Sequence, residues 1–134
     1  MKNPLQQAER WFRQAEHDLQ VARMDLANGF YSDCCFMSEQ IGQKVVKAFL
    51  MRQGERTVLE HSIRSLVKHA SHYESAFQSL LEGAGMLDQY YIPTRYPDAL
   101  AEPAVPFESY TQEQATKALA MAQQMLEFVR HRLQ

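Results

Sequence analysis

Residues 31–53 read YSDCCFMSEQIGQKVVKAFLMRQ, and the fold turns on how they are read. At the ~100° per residue of an α-helix, Tyr31, Cys34, Cys35, Ser38, Ile41, Gly42, Val45, Val46 and Phe49 fall on one broad face. The other face carries Asp33, Phe36, Gln40, Lys44, Lys47 and Met51. Small residues at 38 and 42 let another helix approach closely. Gly54 stops the helix.

Working outward, the chain reads as helix after helix, with no strand. Asn3-Pro4 is a helix start, because Asn caps and Pro fits a first turn that needs no N–H from it. Leu5, Ala8, Trp11, Phe12, Ala15, Leu19, Ala22 and Leu26 then step by three and four, predicting a helix over 4–27 that ends at Asn28-Gly29. Residues 54–58 read as a turn. Leu59, Ile63, Leu66, Val67 and Ala70 mark a short third helix, and a fourth is expected over 73–90, broken at Gly83 and Gly85. Residues 91–110, YIPTRYPDALAEPAVPFESY, hold four prolines and predict a long irregular loop. Thr111 to Gln114 form a capping box that opens the last helix. The fold class expected is all-α: an antiparallel up-down bundle of four to five helices with a proline-rich loop before the last. The wide apolar faces of the first two helices allow a homodimer.

Composition narrows the function classes. The 134 residues suit one domain over 1–134, and 46% apolar residues supply a core. Two adjacent cysteines, Cys34 and Cys35, exclude a disulfide framework. A net charge of −2 gives no global field for nucleic acid. No secretory signal and no run of ~18 apolar residues is present, so a cytoplasmic protein without a membrane span is expected. There is no phosphate-binding glycine loop, no GxSxG and no HExxH. No Glu stands three residues before a His, and His61, His69 and His72 lack a matching carboxylate or Cys cluster, so neither metal nor cofactor is expected.

Charge is uneven along the chain. Residues 40–70 carry six basic side chains against two acidic, and residues 71–134 carry four basic against eight acidic. Lys44 and Lys47 share a helix face with Gln40; this reads either as a small anion-facing patch or as a plain solvated face. Helical metal-independent ribonucleases need a His as general acid/base and an Arg against phosphate, which an Arg-x(4–6)-His spacing supplies. Arg10…His17, Arg56…His61 and Arg64…His69 match that spacing, and about one such match is expected by chance. In the loop, Arg95-Tyr96-Pro97-Asp98 puts a cation, an aromatic ring and a carboxylate beside a proline. Such a loop can clamp a planar or phosphorylated ligand, with Arg for phosphate and Tyr for stacking. Alternatively, Tyr96 plugs the bundle end while Arg95 and Asp98 satisfy the backbone or each other.

Trp11, Ala15, Asp18-Leu19 and Ala22, then Phe36 and the Gln40…Lys44-x-x-Lys47-Ala48 run, then His61-Ser62-Ile63…Leu66, then Thr94-Arg95-Tyr96-Pro97-Asp98 follow one another in an order that resembles the HEPN (higher eukaryotes and prokaryotes nucleotide-binding) domain. The resemblance covers nearly the whole chain. It implies a helical bundle that pairs as a homodimer, accompanies a small nucleotidyltransferase, and binds nucleotide or RNA. Some branches are ribonuclease toxins whose Arg-x(4–6)-His motif places Asn, Asp or His after the Arg. Here Thr57 and Ser65 follow Arg56 and Arg64, and Gln43-Lys44 stands where the family has Glu-Lys. The reading is therefore a nucleotide- or RNA-binding module. Its expected contacts are Lys44, Lys47 and Arg95 to phosphate, Tyr96 by stacking, His61 as a polar contact, and Asp98 orienting Arg95 or accepting from base or ribose. The rivals are an endoribonuclease toxin using His61 or His69 with a nearby Arg, and a purely structural interaction module.

Overall fold

The structure is a computed structural model that describes residues 3–56 and 58–134. Thr57, in the turn expected at 54–58, lies outside the described residues. Among those residues there are five α-helices and no strand. Helix α1 spans Pro4–Ala27; the Asn3 side chain accepts from Leu5 N at 2.9 Å and Gln6 N at 3.3 Å, supplying the N-cap. Gly29, at φ +82°, reverses the chain, and α2 runs back over Tyr31–Arg52. Helix α3 is Ile63–Ser71, α4 is Leu81–Asp88 and α5 is Gln112–Arg130, opened by the reciprocal Thr111–Gln114 capping box.

Three expectations are corrected. The third helix starts four residues later than expected, because Ser62 and Asp88 fix its N-terminus there. The expected fourth helix is divided into a 3-10 turn, Ser75–Leu80, and α4. The division falls at Leu80–Leu81 and not at the glycines. Gly83 lies inside α4, where a Cβ would collide with the Met121 sulfur of α5, so its missing side chain serves packing. Finally, the loop 91–110 contains two 3-10 turns, Pro97–Ala99 and Pro106–Glu108, the second packed on α2. Ser32 Oγ of α2 donates to the Thr94 carbonyl at 2.7 Å, and Thr94 Oγ1 donates to the Tyr90 carbonyl at 2.6 Å. These buried bonds moor the loop beside α2.

Helices α1, α2 and α5 pack on one another, and α3 and α4 cover another side of α2. No residue of α2 from Cys34 to its end is exposed. Helices α3 and α4 come close to α2 at Gly42: a Cβ there would stand 2.7 Å from Ile63 Cδ1 and 3.3 Å from Leu87 Cδ1. Among the described residues no helix is long and apolar enough to cross a membrane.

Gly42→Leu forces a side chain into space already filled by α3 and α4. It is expected to lower stability by about 1–3 kcal/mol in urea unfolding, the usual range for an overpacked core. An unchanged midpoint would show that α3 and α4 do not press on α2 there.

Candidate functional site

The site is built where the start of α3 meets the end of α4. The Asp88 carboxylate accepts from Ile63 N at 2.6 Å, Arg64 N at 3.1 Å and Ser62 Oγ at 2.9 Å. A negative charge thus faces the positive end of a helix and satisfies amides that have no partner inside it. Ser62 Oγ also accepts from Ser65 N at 3.1 Å, and Glu60 Oε1 accepts from His61 N at 3.0 Å and Ser62 N at 3.1 Å. His61 is therefore held immediately ahead of α3. Its ring stacks on Tyr91, with centroids 5.2 Å apart and planes 19° apart.

Tyr91 continues the stack into the loop. The Arg95 guanidinium lies 5.1 Å from the Tyr91 ring centroid, 4.5 Å from Phe36 and 5.0 Å from Tyr96, and its Nε donates to the Tyr91 carbonyl at 3.1 Å. Cation–π attraction and one hydrogen bond orient this guanidinium without neutralising it. Among the described residues no carboxylate forms an ion pair with Arg95; Asp98 sits in its own exposed 3-10 turn, and the rings do the orienting expected of it. Tyr96 is 52% exposed, so it does not plug the bundle end.

The two lysines part company. Lys44 forms an ion pair with Asp18, whose other oxygen accepts from Gln14 Nε2 at 3.0 Å. Lys47 is buried, not solvated, because α1 covers it: its ammonium sits 5.7 Å from the Trp11 ring centroid. Burial lowers the Lys47 pKa, and Glu39 and Glu60 oppose that shift. Trp11 is the wall between two open grooves. One, of about 550 Å³, is lined by Lys47, Arg56, Leu59 and His61 among others; the other, of about 570 Å³, is lined by Arg10, Arg13, Gln14 and Lys44. Of the expected contacts, Lys47 and His61 share a groove, and Tyr91 links His61 to Arg95 and Tyr96. Lys44 lies across Trp11, and Asp98 stands apart.

Sequence reasoning missed Tyr91, Asp88 and Glu39. Tyr91 had a signal, since it stands four residues before Arg95. Asp88 had none, because its partners are 24 to 26 residues away. Glu39 is fully buried, and burial lifts its pKa to about 7, opposed by hydrogen bonds from Gln43 and Gln40 and by Arg95, and reinforced by Asp88. Elsewhere, His69 Nε2 contacts Glu55 at 2.7 Å, and Tyr73 Oη donates to the same carboxylate at 2.6 Å. Arg64 and His69 are five positions apart on α3, roughly 140° around its axis, so they do not share a face. Cys34 and Cys35 are buried, and desolvation pushes their thiols up to about 11 and about 12, away from nucleophile chemistry.

The family model described as HEPN domain matches residues 8–132. The chain belongs to the HEPN family. It is 29% identical over 130 residues to a Methanocaldococcus jannaschii protein named "Putative toxin", covering 92% of this chain and 86% of that one. It is also 27% identical over 123 residues to human sacsin, a match covering 87% of this chain and only 3% of sacsin. Among solved structures, a Thermus thermophilus protein superposes with a TM-score of 0.87 at 35% identity, over 93% of this chain and 97% of that one. A structure described as an archaeal HEPN homologue gives 0.79 at 34% identity over the whole of both chains. The HEPN fold thus accounts for the whole bundle, and the site lies on its α2–α3–α4 side.

Asp88→Ala removes an N-terminal cap and a charged acceptor from α3. A loss of about 2 kcal/mol in stability is expected, with His61 losing its register against Tyr91. Denaturant unfolding checks the first, and the His61 ring shifts in an NMR spectrum check the second.

Proposed function

We propose that this HEPN domain binds the phosphate and base of a nucleotide or RNA segment on the surface formed by Lys47, His61, Tyr91, Arg95 and Tyr96. The observation that carries the reading is Arg95, a guanidinium fixed among three rings and outside any ion pair with a carboxylate among the described residues. A planar, preorganised fork of this kind suits phosphate, and the half-exposed Tyr96 ring beside it suits a base. The lysine-lined groove that begins at His61 gives a second anionic group somewhere to lie. The reading includes pairing of two copies, supported by Leu59 and Ile92, large side chains left exposed beside the site. It also includes service to a small nucleotidyltransferase in the cytoplasm, which the HEPN resemblance supports.

Arg95→Ala is expected to weaken binding of ATP, GTP or a short RNA at least tenfold in calorimetric titration, the loss of a charge-assisted contact of about 1.5–3 kcal/mol. Arg95→Lys is expected to restore only part of it, because a point charge replaces a fork. Light scattering of the same samples at tens of micromolar is expected to give twice the 15.5 kDa of one chain. Unchanged affinity in a folded Arg95→Ala protein removes the loop from the site.

A second reading, a metal-independent endoribonuclease, is favoured by one observation: Arg56 and His61 line the same groove as Lys47. The toxin-named relative points the same way. On the binding reading, the purified protein leaves RNA intact. Cleavage without metal that falls by roughly 10²–10⁴-fold in His61→Ala and not in His69→Ala would reverse the order of the two.

A further inference from the structure

Glu39 sits mid-way along α2 with none of its surface exposed. Both oxygens are held from its own helix: Gln40 Nε2 donates to Oε1 at 2.7 Å, and Gln43 Nε2 donates to Oε2 at 2.5 Å. Neither donor is charged, and among the described residues no cation lies within ion-pair distance of the carboxylate. Phe36, one turn earlier on α2, carries the Arg95 guanidinium 4.5 Å from its ring centroid, and Lys47 follows Glu39 about two turns later on the same helix, so the carboxyl is placed near both cations; Asp88 at the end of α4 opposes its ionisation. Glu60 acts on Lys47 from ahead of α3, and His61 shares the groove that Lys47 lines. The two cations that feel this hidden carboxyl are the two placed on the proposed ligand surface.

We propose that Glu39 is a positioning residue that sets, through Lys47 and Arg95, how much positive charge the site offers a phosphate, and so ties anion affinity to pH. The proposal rests on the binding reading above. Ionised, Glu39 adds a fixed negative charge behind both cations. Protonated, it keeps its shape and its place between Gln40 and Gln43, and the cations face the ligand uncompensated. Burial lifts its pKa to about 7, so the exchange falls near neutrality. The sign follows: the carboxyl is charged above that value and neutral below it, so affinity rises as pH falls through it. Because Glu39 is enclosed, it touches no ligand.

The test compares wild type with Glu39→Gln, which keeps size and hydrogen bonding and cannot ionise; the Gln40 amide, half-buried, can turn to suit it. The probe is a pentauridylate, whose phosphodiesters keep their charge between pH 6 and 8.5. At pH 8.5 the variant is expected to bind about fivefold tighter than wild type, and at pH 6 equally. A ratio that does not change with pH overturns the proposal, because it marks a merely structural role. If neither protein binds at any pH, the binding reading fails, and the fluorescence of Trp11 decides the proposal alone. Trp11 is the only tryptophan and lies against Lys47. A titration step near neutrality present in wild type and absent in Glu39→Gln then upholds the electrostatic link, and identical titrations overturn it.

Discussion

Helix α2 has neighbours on every side, yet it is not an apolar helix. Glu39, Gln43 and Lys47 are buried along it with Ile41, Val45, Val46 and Leu50. A buried polar group must find a partner or forfeit its solvation, and a buried charge is costlier still. Partners for these residues therefore dictate much of what surrounds the helix. Gln40 and Gln43 close on Glu39, Trp11 of α1 lies against the Lys47 ammonium, and Asp18 meets Lys44. Gly42 meanwhile lets Ile63 and Leu87 come close enough to seat α3 and α4 against the helix. The same packing that buries α2 brings His61 and Tyr91 to its edge.

What results is a rigid surface. Asp88 ties α3 to α4, Thr94 and Ser32 tie the loop to α2, and the Arg95 Nε is tied to the Tyr91 carbonyl. Each bond removes freedom before any ligand arrives, so less ordering entropy is lost on binding. A proline-rich loop of this length is costly to order by itself. Here it is ordered by its moorings, some local, such as Thr94 to Tyr90, and one, Ser32 to Thr94, between residues 62 apart in sequence.

That distinction explains what could be read in the sequence. The extents of α1 and α2 follow from periodicity and from the glycines that close them, and the starts of α1 and α5 from caps within three residues, and so they were legible. The start of α3 was not, since Asp88 fixes it from across the chain. Gly83 misled for a related reason: its meaning lies in Met121 on another helix. A helical wheel also put Lys44 and Lys47 on one outward face, but it cannot know that α1 lies over that face. The Arg95-Tyr96 pair was visible as chemistry. Its cage was not, because Phe36 reaches it from α2.

Placement of charge carries the last step. The C-terminal half is rich in acids, and several of them are engaged by other partners: Glu74 holds Arg132, Glu127 holds Arg130, and Asp88 serves the amides of α3. Carboxylates near Arg95 would orient it and cancel it in the same act. Ring faces orient it by their quadrupole and leave the positive charge in place. A domain of net charge −2 thereby presents a local cation to solvent, and its whole-chain charge gives no sign of it. The carboxyl set behind that cation is Glu39, sealed inside the bundle, where its charge depends on its surroundings and not on contact with a ligand.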